Sequence, residues 1–74
     1  MSMSIYTSGD IAHKCHVSTR TIQYYDKQEI LSPNYTSETN RRFYTDKEVE
    51  KLELILFLKE IGCTIKEIKV LLQE

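Results

Sequence analysis

The sequence predicts a mainly α-helical fold of about four helices with one short two-stranded hairpin. Three observations predict it. Helix-start residues recur at Thr7, Ser18, Thr45 and Thr64, and behind all but Ser18 an acid follows three positions later, as a capping box requires. Apolar residues fall at helical spacing behind each start. Between the second and third starts, Asn34 to Tyr44 changes to aromatic and arginine residues around a polar loop, which suits extended chain.

Taken in order, Thr7-Ser8-Gly9-Asp10 is a loose box with Asp in place of Glu, and Ile11, Ala12 and Cys15 follow on one face. The first helix is expected over about Ser8–Cys15. Ser18 caps the second, about Thr19–Lys27, with Ile22 and Tyr25 inward and Val17 placed to staple its start. Two short helices joined by so tight a turn make a helix-turn-helix unit. Ile30-Leu31-Ser32-Pro33 ends it, since a residue before Pro avoids helical backbone. A hairpin follows, with Tyr35 and Arg41–Tyr44 extended and Thr36–Asn40 as its tip.

Thr45-Asp46-Lys47-Glu48 opens the longest helix, about Asp46–Ile61, which Gly62 closes. That helix carries two apolar stripes, Val49, Leu52, Ile55 and Leu56 on one and Leu54, Phe57, Leu58 and Ile61 on the other. Packing on two sides is expected, against the helix-turn-helix unit and against a last helix. The last helix opens at the Thr64–Glu67 box and carries Ile65, Ile68, Leu71 and Leu72 on one stripe. Residues 1–74 thus read as one domain: helix-turn-helix at 5–31, hairpin at 32–44, helix pair at 45–74.

Composition narrows the function. Hydrophobic residues are 41% and charged residues 28%, an ordinary globular balance rather than that of a disordered chain. The longest apolar run, Leu54–Leu58, is far too short for a membrane span, and Met1-Ser2-Met3-Ser4 has neither basic stretch nor apolar core for a signal peptide. Cys15 and Cys63 make no disulfide framework and read as reduced thiols of a cytoplasmic protein. A chain of 74 residues buries only about 60% of its unfolded surface, so a surface that binds something large is expected rather than a deep catalytic cleft. No Ser-His-Asp set, carboxylate pair in a cleft or Gly-rich phosphate loop stands in the sequence, so no enzyme is expected. His13, Cys15 and His16 invite a metal site, but only the distant Cys63 could complete it; Cys15 reads as core and the two His as surface or turn residues. No cofactor is expected.

The net charge of −1 announces no partner, but the charge is unevenly spread. Residues 1–44 carry five Lys and Arg against four Asp and Glu, and residues 45–74 five Lys against seven acids. Ser18, Thr19, Arg20, Gln23, Tyr24 and Lys27 form the polar side of the second helix, alternating with its core positions. A helix that enters a major groove needs such a side: Arg reads guanine or phosphate, Gln reads adenine, and Tyr and the helix N-terminus hold phosphate. An ordinary solvated helix is the plain alternative. In the hairpin, alternation puts Arg42 with Tyr44 on one face and Arg41 with Phe43 on the other. One Arg is therefore expected beside the second helix, where a phosphate backbone would pass. Recognition helix plus basic hairpin is a winged helix-turn-helix, more specific than either part.

At this point the residues carry a resemblance. Ile5-Tyr6-Thr7 leading to Ile11-Ala12, Val17-Ser18-Thr19-Arg20-Thr21-Ile22-Gln23-Tyr24-Tyr25-Asp26, Arg42-Phe43-Tyr44-Thr45 and Ile61-Gly62-Cys63-Thr64-Ile65-Lys66-Glu67-Ile68 resemble the DNA-binding domain of MerR-family transcription regulators, from about Ser4 to Leu72. The resemblance implies a homodimer in the full-length protein, binding two-fold-symmetric bacterial promoter DNA and distorting it for RNA polymerase. It implies Ser18, Thr19, Arg20 and Gln23 in the major groove, Tyr24 and Tyr25 on the phosphate backbone or bracing it, Arg42 as a phosphate anchor with Arg41 beside it, and Lys59 within reach of phosphate. It also implies a dimerisation helix and an effector region, which this chain lacks; its ending inside the last helix favours a piece of a longer regulator. The rivals are a short architectural or excisionase-like DNA binder without effector domain, and a protein-interaction module using Ile68, Leu71 and Leu72.

The chain departs from the family at points of tight backbone. Members usually carry Gly where this chain has His16 in the helix-turn-helix turn, Glu29 before Ile30-Leu31, and Asn40 at the hairpin tip. Asn tolerates left-handed backbone, whereas His16 and Glu29 are less at ease there. Gln23 stands where many members have Arg, which takes one charge from the second helix.

Overall fold

The computed structural model describes residues 4–73, so the readings of Met1–Met3 and of Glu74 lie outside the described residues. Its elements run β1 (Ile5–Thr7), α1 (Ser8–Lys14), α2 (Thr19–Lys27), β2 (Tyr35–Thr36), β3 (Arg42–Thr45), α3 (Asp46–Glu60) and α4 (Ile65–Leu72). The four expected helices form with bounds within a residue or so of the reading. The sheet differs. It has three strands in the order β1-β3-β2, all antiparallel, rather than two. The added strand pairs Ile5 with Thr45, Tyr6 with Tyr44 and Thr7 with Phe43. Three residues are too few to show a strand period, so pairing rather than local pattern creates it.

The caps act as read. The Thr7 hydroxyl accepts from the Asp10 N–H at 3.1 Å while Asp10 Oδ2 accepts from the Thr7 N–H at 3.2 Å. The Thr64–Glu67 box closes in the same way at 3.1 and 2.9 Å. At α3 the Glu48 carboxylate accepts from both the N–H and the hydroxyl of Thr45, at 2.7 and 2.6 Å. Burial pushes the Glu48 carboxyl up, but hydrogen bonds led by Thr45, with Asn34 behind, outweigh it and hold the group below its ordinary value.

The core gathers Ile11 and Ala12 of α1, Ile22 and Tyr25 of α2, Ile30 and Leu31 after it, Tyr44 of β3, Val49, Leu52 and Ile55 of α3, and Ile68 of α4. The inner stripe of α3 is therefore buried as expected. The outer stripe is not: Leu54, Phe57 and Ile61 are exposed and only Leu58 is half-buried. α4, of eight residues, covers α3 through Ile68 and leaves Val70 and Leu71 exposed as well. The stripe of Ile68, Leu71 and Leu72 is thus no free docking strip, because Ile68 is fully buried. The end of the last helix differs too: Gln73 takes extended backbone beyond Leu72, so α4 stops before the last described residue.

Among the described residues, three other than Gly have positive φ: His16 at 58°, Glu29 at 63° and Asn40 at 63°. They are the three positions where the family resemblance expected Gly. Each closes a turn: Val17 N–H bonds Ala12 C=O, Ile30 N–H bonds Tyr25 C=O, and Asn40 N–H bonds Ser37 C=O. Glu29 also meets Lys69 of α4 at 3.2 Å. A side chain in left-handed backbone costs about 1–2 kcal/mol, against about 0.5–1 kcal/mol of extra chain entropy for Gly.

Two outcomes follow from these local balances. His16 is exposed and makes no side-chain hydrogen bond among the described residues, so His16→Gly should stabilise the domain by about 0.5 kcal/mol, a rise of a few degrees in melting temperature; a fall would contradict the strain. Glu48 has a depressed folded value, so its stabilisation is complete above the ordinary Glu range near about pH 4.3 and is lost as pH falls through the folded value. Glu48→Gln should therefore cost about 1 kcal/mol in urea unfolding at neutral pH, with the gap to the parent closing in acid; an equal gap at both pH values would refute the assignment.

Candidate nucleic-acid interface

Burying Ile22 and Tyr25 of α2 turns the opposite side of that helix outward, with Thr19, Arg20, Gln23, Tyr24 and Lys27 exposed. β3 meets this side because Tyr44, fully buried, points inward and Arg42, two residues earlier, shares its face. Arg42 Nη2 lies 3.3 Å from Oδ2 of Asp26 on α2. A groove of about 420 Å³ runs between the two elements, lined by Arg20, Gln23, Tyr24, Asp26, Lys27 and Arg42. A neighbouring hollow of about 320 Å³ continues it along Thr7, Ser8, Gly9, Gln23, Asn40, Arg41 and Arg42. Gln23 and Arg42 belong to both, so the two form one strip.

Most of the sequence-predicted residues are brought together here. Arg20, Gln23, Tyr24, Lys27, Arg41 and Arg42 line the strip, and Thr19 is exposed on the first turn of the same helix. Ser18 sits at the N-cap with its hydroxyl already accepting from the Thr21 N–H at 3.2 Å and sharing a hydrogen bond with the Thr21 hydroxyl at 3.1 Å. Two residues stand apart. Tyr25 is 5% exposed and stacks obliquely on Tyr24 with ring centroids 5.9 Å apart, so of its two readings the buried position fits bracing rather than contact. Lys59 is exposed in the last turn of α3 and lines neither hollow.

The strip is cationic. It carries Arg20, Lys27, Arg41 and Arg42 against the single carboxylate of Asp26, and among the described residues only Arg42 of the four is ion-paired. The domain's small net charge hides this local excess. Under the strip the Tyr44 hydroxyl is buried with no hydrogen-bond partner among the described residues. Burial pushes its phenol up, and Ser8, near but outside bonding geometry, pulls the other way. Cys15 is half-buried against the core, and burial pushes its thiol up with Glu53 adding to it, as for a packing residue rather than a reactive one.

Sequence reasoning missed Asp26, Thr7, Ser8, Gly9 and Asn40. Asp26 lies three residues beyond Gln23, so helical spacing could have placed it on the strip; its charge ran against a basic-surface reading. Ser8 and Gly9 reach the strip only through the β1–β3 pairing, which leaves no local signal.

Comparison with known proteins bears on the family and the fold. Residues 6–74 match the family described as MerR HTH family regulatory protein. The HTH-type transcriptional activator mta of Bacillus subtilis is 40% identical over 67 residues, which are 90% of this chain and 26% of mta. ZntR, an HTH-type transcriptional regulator of Escherichia coli, is 29% identical over 92% of this chain and 48% of its own length. Among solved structures, HiNmlR, a MerR-family regulator lacking the sensor domain and bound to promoter DNA, superposes with a TM-score of 0.86 at 33% identity, over 95% of this chain and 56% of that one. The chain thus spans between a quarter and just over half of these relatives. With its helix-turn-helix, wing and helix pair all in place, the chain belongs to the MerR HTH family of regulatory proteins and constitutes a DNA-binding domain of that family.

Proposed function

We propose that the domain binds double-stranded promoter DNA with α2 in a major groove and Arg42 on the phosphate backbone beside it. The observation that carries this reading is the shared strip: α2 and the wing present their cations side by side rather than on opposite faces. In this reading Thr19, Arg20 and Gln23 meet base edges, while Ser18 sets the N-terminus of α2 and its partial positive charge toward a phosphate. Tyr24, Lys27 and Arg41 hold the backbone on either side, Tyr25 braces Tyr24 from below, and Lys59 joins only where the duplex reaches the end of α3.

At the level of the regulator, the reading is a bacterial transcription factor rather than an enzyme, acting as a homodimer on a two-fold-symmetric operator and distorting it for RNA polymerase. Bending a site of about 20–30 base pairs costs about 1–6 kcal/mol, which phosphate contacts of this kind must offset. A single domain contributes one half of such a grip, with affinity nearer the nonspecific range of about 10⁻⁴–10⁻⁶ M. Bacterial promoters lie in the cytoplasm, which is where this reading puts the protein. Among the described residues no helix is long and apolar enough to cross a membrane.

Two substitutions separate the roles. Arg42→Ala should weaken binding to every duplex alike and reduce the slope of log affinity against log salt by about one. An unchanged slope would remove Arg42 from the phosphate backbone. Gln23→Ala should instead change which sequences are selected from a random pool, by about 1–3 kcal/mol at the position it reads. Uniform loss on all sequences would argue against base reading.

A further inference from the structure

Asp26 is the one carboxylate lining a strip whose other charged residues are all cations. Beside a phosphate backbone a carboxylate repels, so its presence there needs a reason. The Asp26 side chain is 20% exposed and lies below Arg42, which is 42% exposed. Among the described residues Arg42 is the only side-chain partner of that carboxylate. The contact takes one Nη at 3.3 Å, and the guanidinium has further N–H donors to spare.

Both ends of the pair rest on fixed backbone. Asp26 sits in the last turn of α2, directly after the buried Tyr25, with its C=O accepting from the Glu29 N–H at 3.0 Å. Arg42 pairs across the ladder with Thr36 and lies two residues from the buried Tyr44. The bridge therefore ties α2 to the wing at one height. A pair this exposed adds little to folding, so its value lies in where it puts the guanidinium. A long Arg side chain loses rotamer freedom when it settles on a phosphate, and part of that loss is already taken in the free domain.

We propose that Asp26 is a positioning residue for DNA binding, holding the Arg42 guanidinium over α2 with its remaining donors free for a phosphate. The inference rests on the phosphate role of Arg42 given above. It is opposed by a simple charge argument, in which losing Asp26 strengthens binding. The two therefore differ in sign.

The test is a double-substitution cycle read by fluorescence anisotropy, using the 74-residue chain and a mixed-sequence duplex of about 20 base pairs over a range of salt. Asp26→Asn should weaken binding about threefold or more in spite of the added net positive charge, and should cause no loss once Arg42→Ala is present. Asp26→Glu, which keeps a carboxylate within reach, should bind within about twofold of the parent. Thermal unfolding of each variant separates folding from binding, and Asp26→Ser runs the same cycle if the amide variant unfolds at the assay temperature. Unchanged or tighter binding by Asp26→Asn overturns the proposal, and so does an equal loss with and without Arg42. If Arg42→Ala alone changes neither affinity nor salt slope, the phosphate reading itself has failed, and the cycle shows that separately.

Discussion

The pairing of β3 between β1 and β2 is the interaction on which the rest depends. It sends Tyr44 inward, fully buried in a core to which all four helices contribute, and by strand alternation it leaves Arg42 on the same face at the edge of that core. α2 is fixed to the same core through Ile22 and Tyr25. Two elements far apart in sequence thereby present one surface, and the Arg42–Asp26 bridge marks where they meet. A one-residue slip of β3 would turn Arg42 away from α2 and bring Arg41 or Phe43 in its place. The register is held by ladder hydrogen bonds on both sides and by the cost of exposing Tyr44.

How much of this was legible follows from how local each signal was. The helices were readable because their caps are written in adjacent residues: Thr7 with Asp10, Ser18 with Thr21, Thr45 with Glu48, Thr64 with Glu67. The polar side of α2 was readable because Ile22 and Tyr25 fix its phase. β1 was not, since three residues acquire a strand only from their partner. The outer stripe of α3 misled for a related reason. Leu54, Phe57 and Ile61 show that a helix has a second apolar side, but not whether the described residues cover it. Asp26 was passed over because a charge of the wrong sign does not announce a cationic surface, although it is what Arg42 touches.

The turns show sequence and backbone in partial conflict. His16, Glu29 and Asn40 sit in left-handed backbone that Gly would adopt at lower cost, yet the turns form with their closing hydrogen bonds intact. Packing overrides local preference here. Val17, Ile30 and Leu31 must reach the core directly after those turns, and burying them outweighs a strain of about 1–2 kcal/mol per site. Such strain, in a chain that buries a modest core, leaves a small margin of stability. The strip between α2 and the wing is therefore held by few contacts, and their precision matters more than their number.

The most direct measurement is a two-dimensional amide NMR titration of the chain with duplex DNA. The account predicts chemical-shift changes concentrated at Thr19–Lys27 and at Asn40–Arg42, with the exposed apolar residues Phe57, Ile61, Val70 and Leu71 left still. Shifts centred on the outer faces of α3 and α4, with α2 and the wing unmoved, would contradict it.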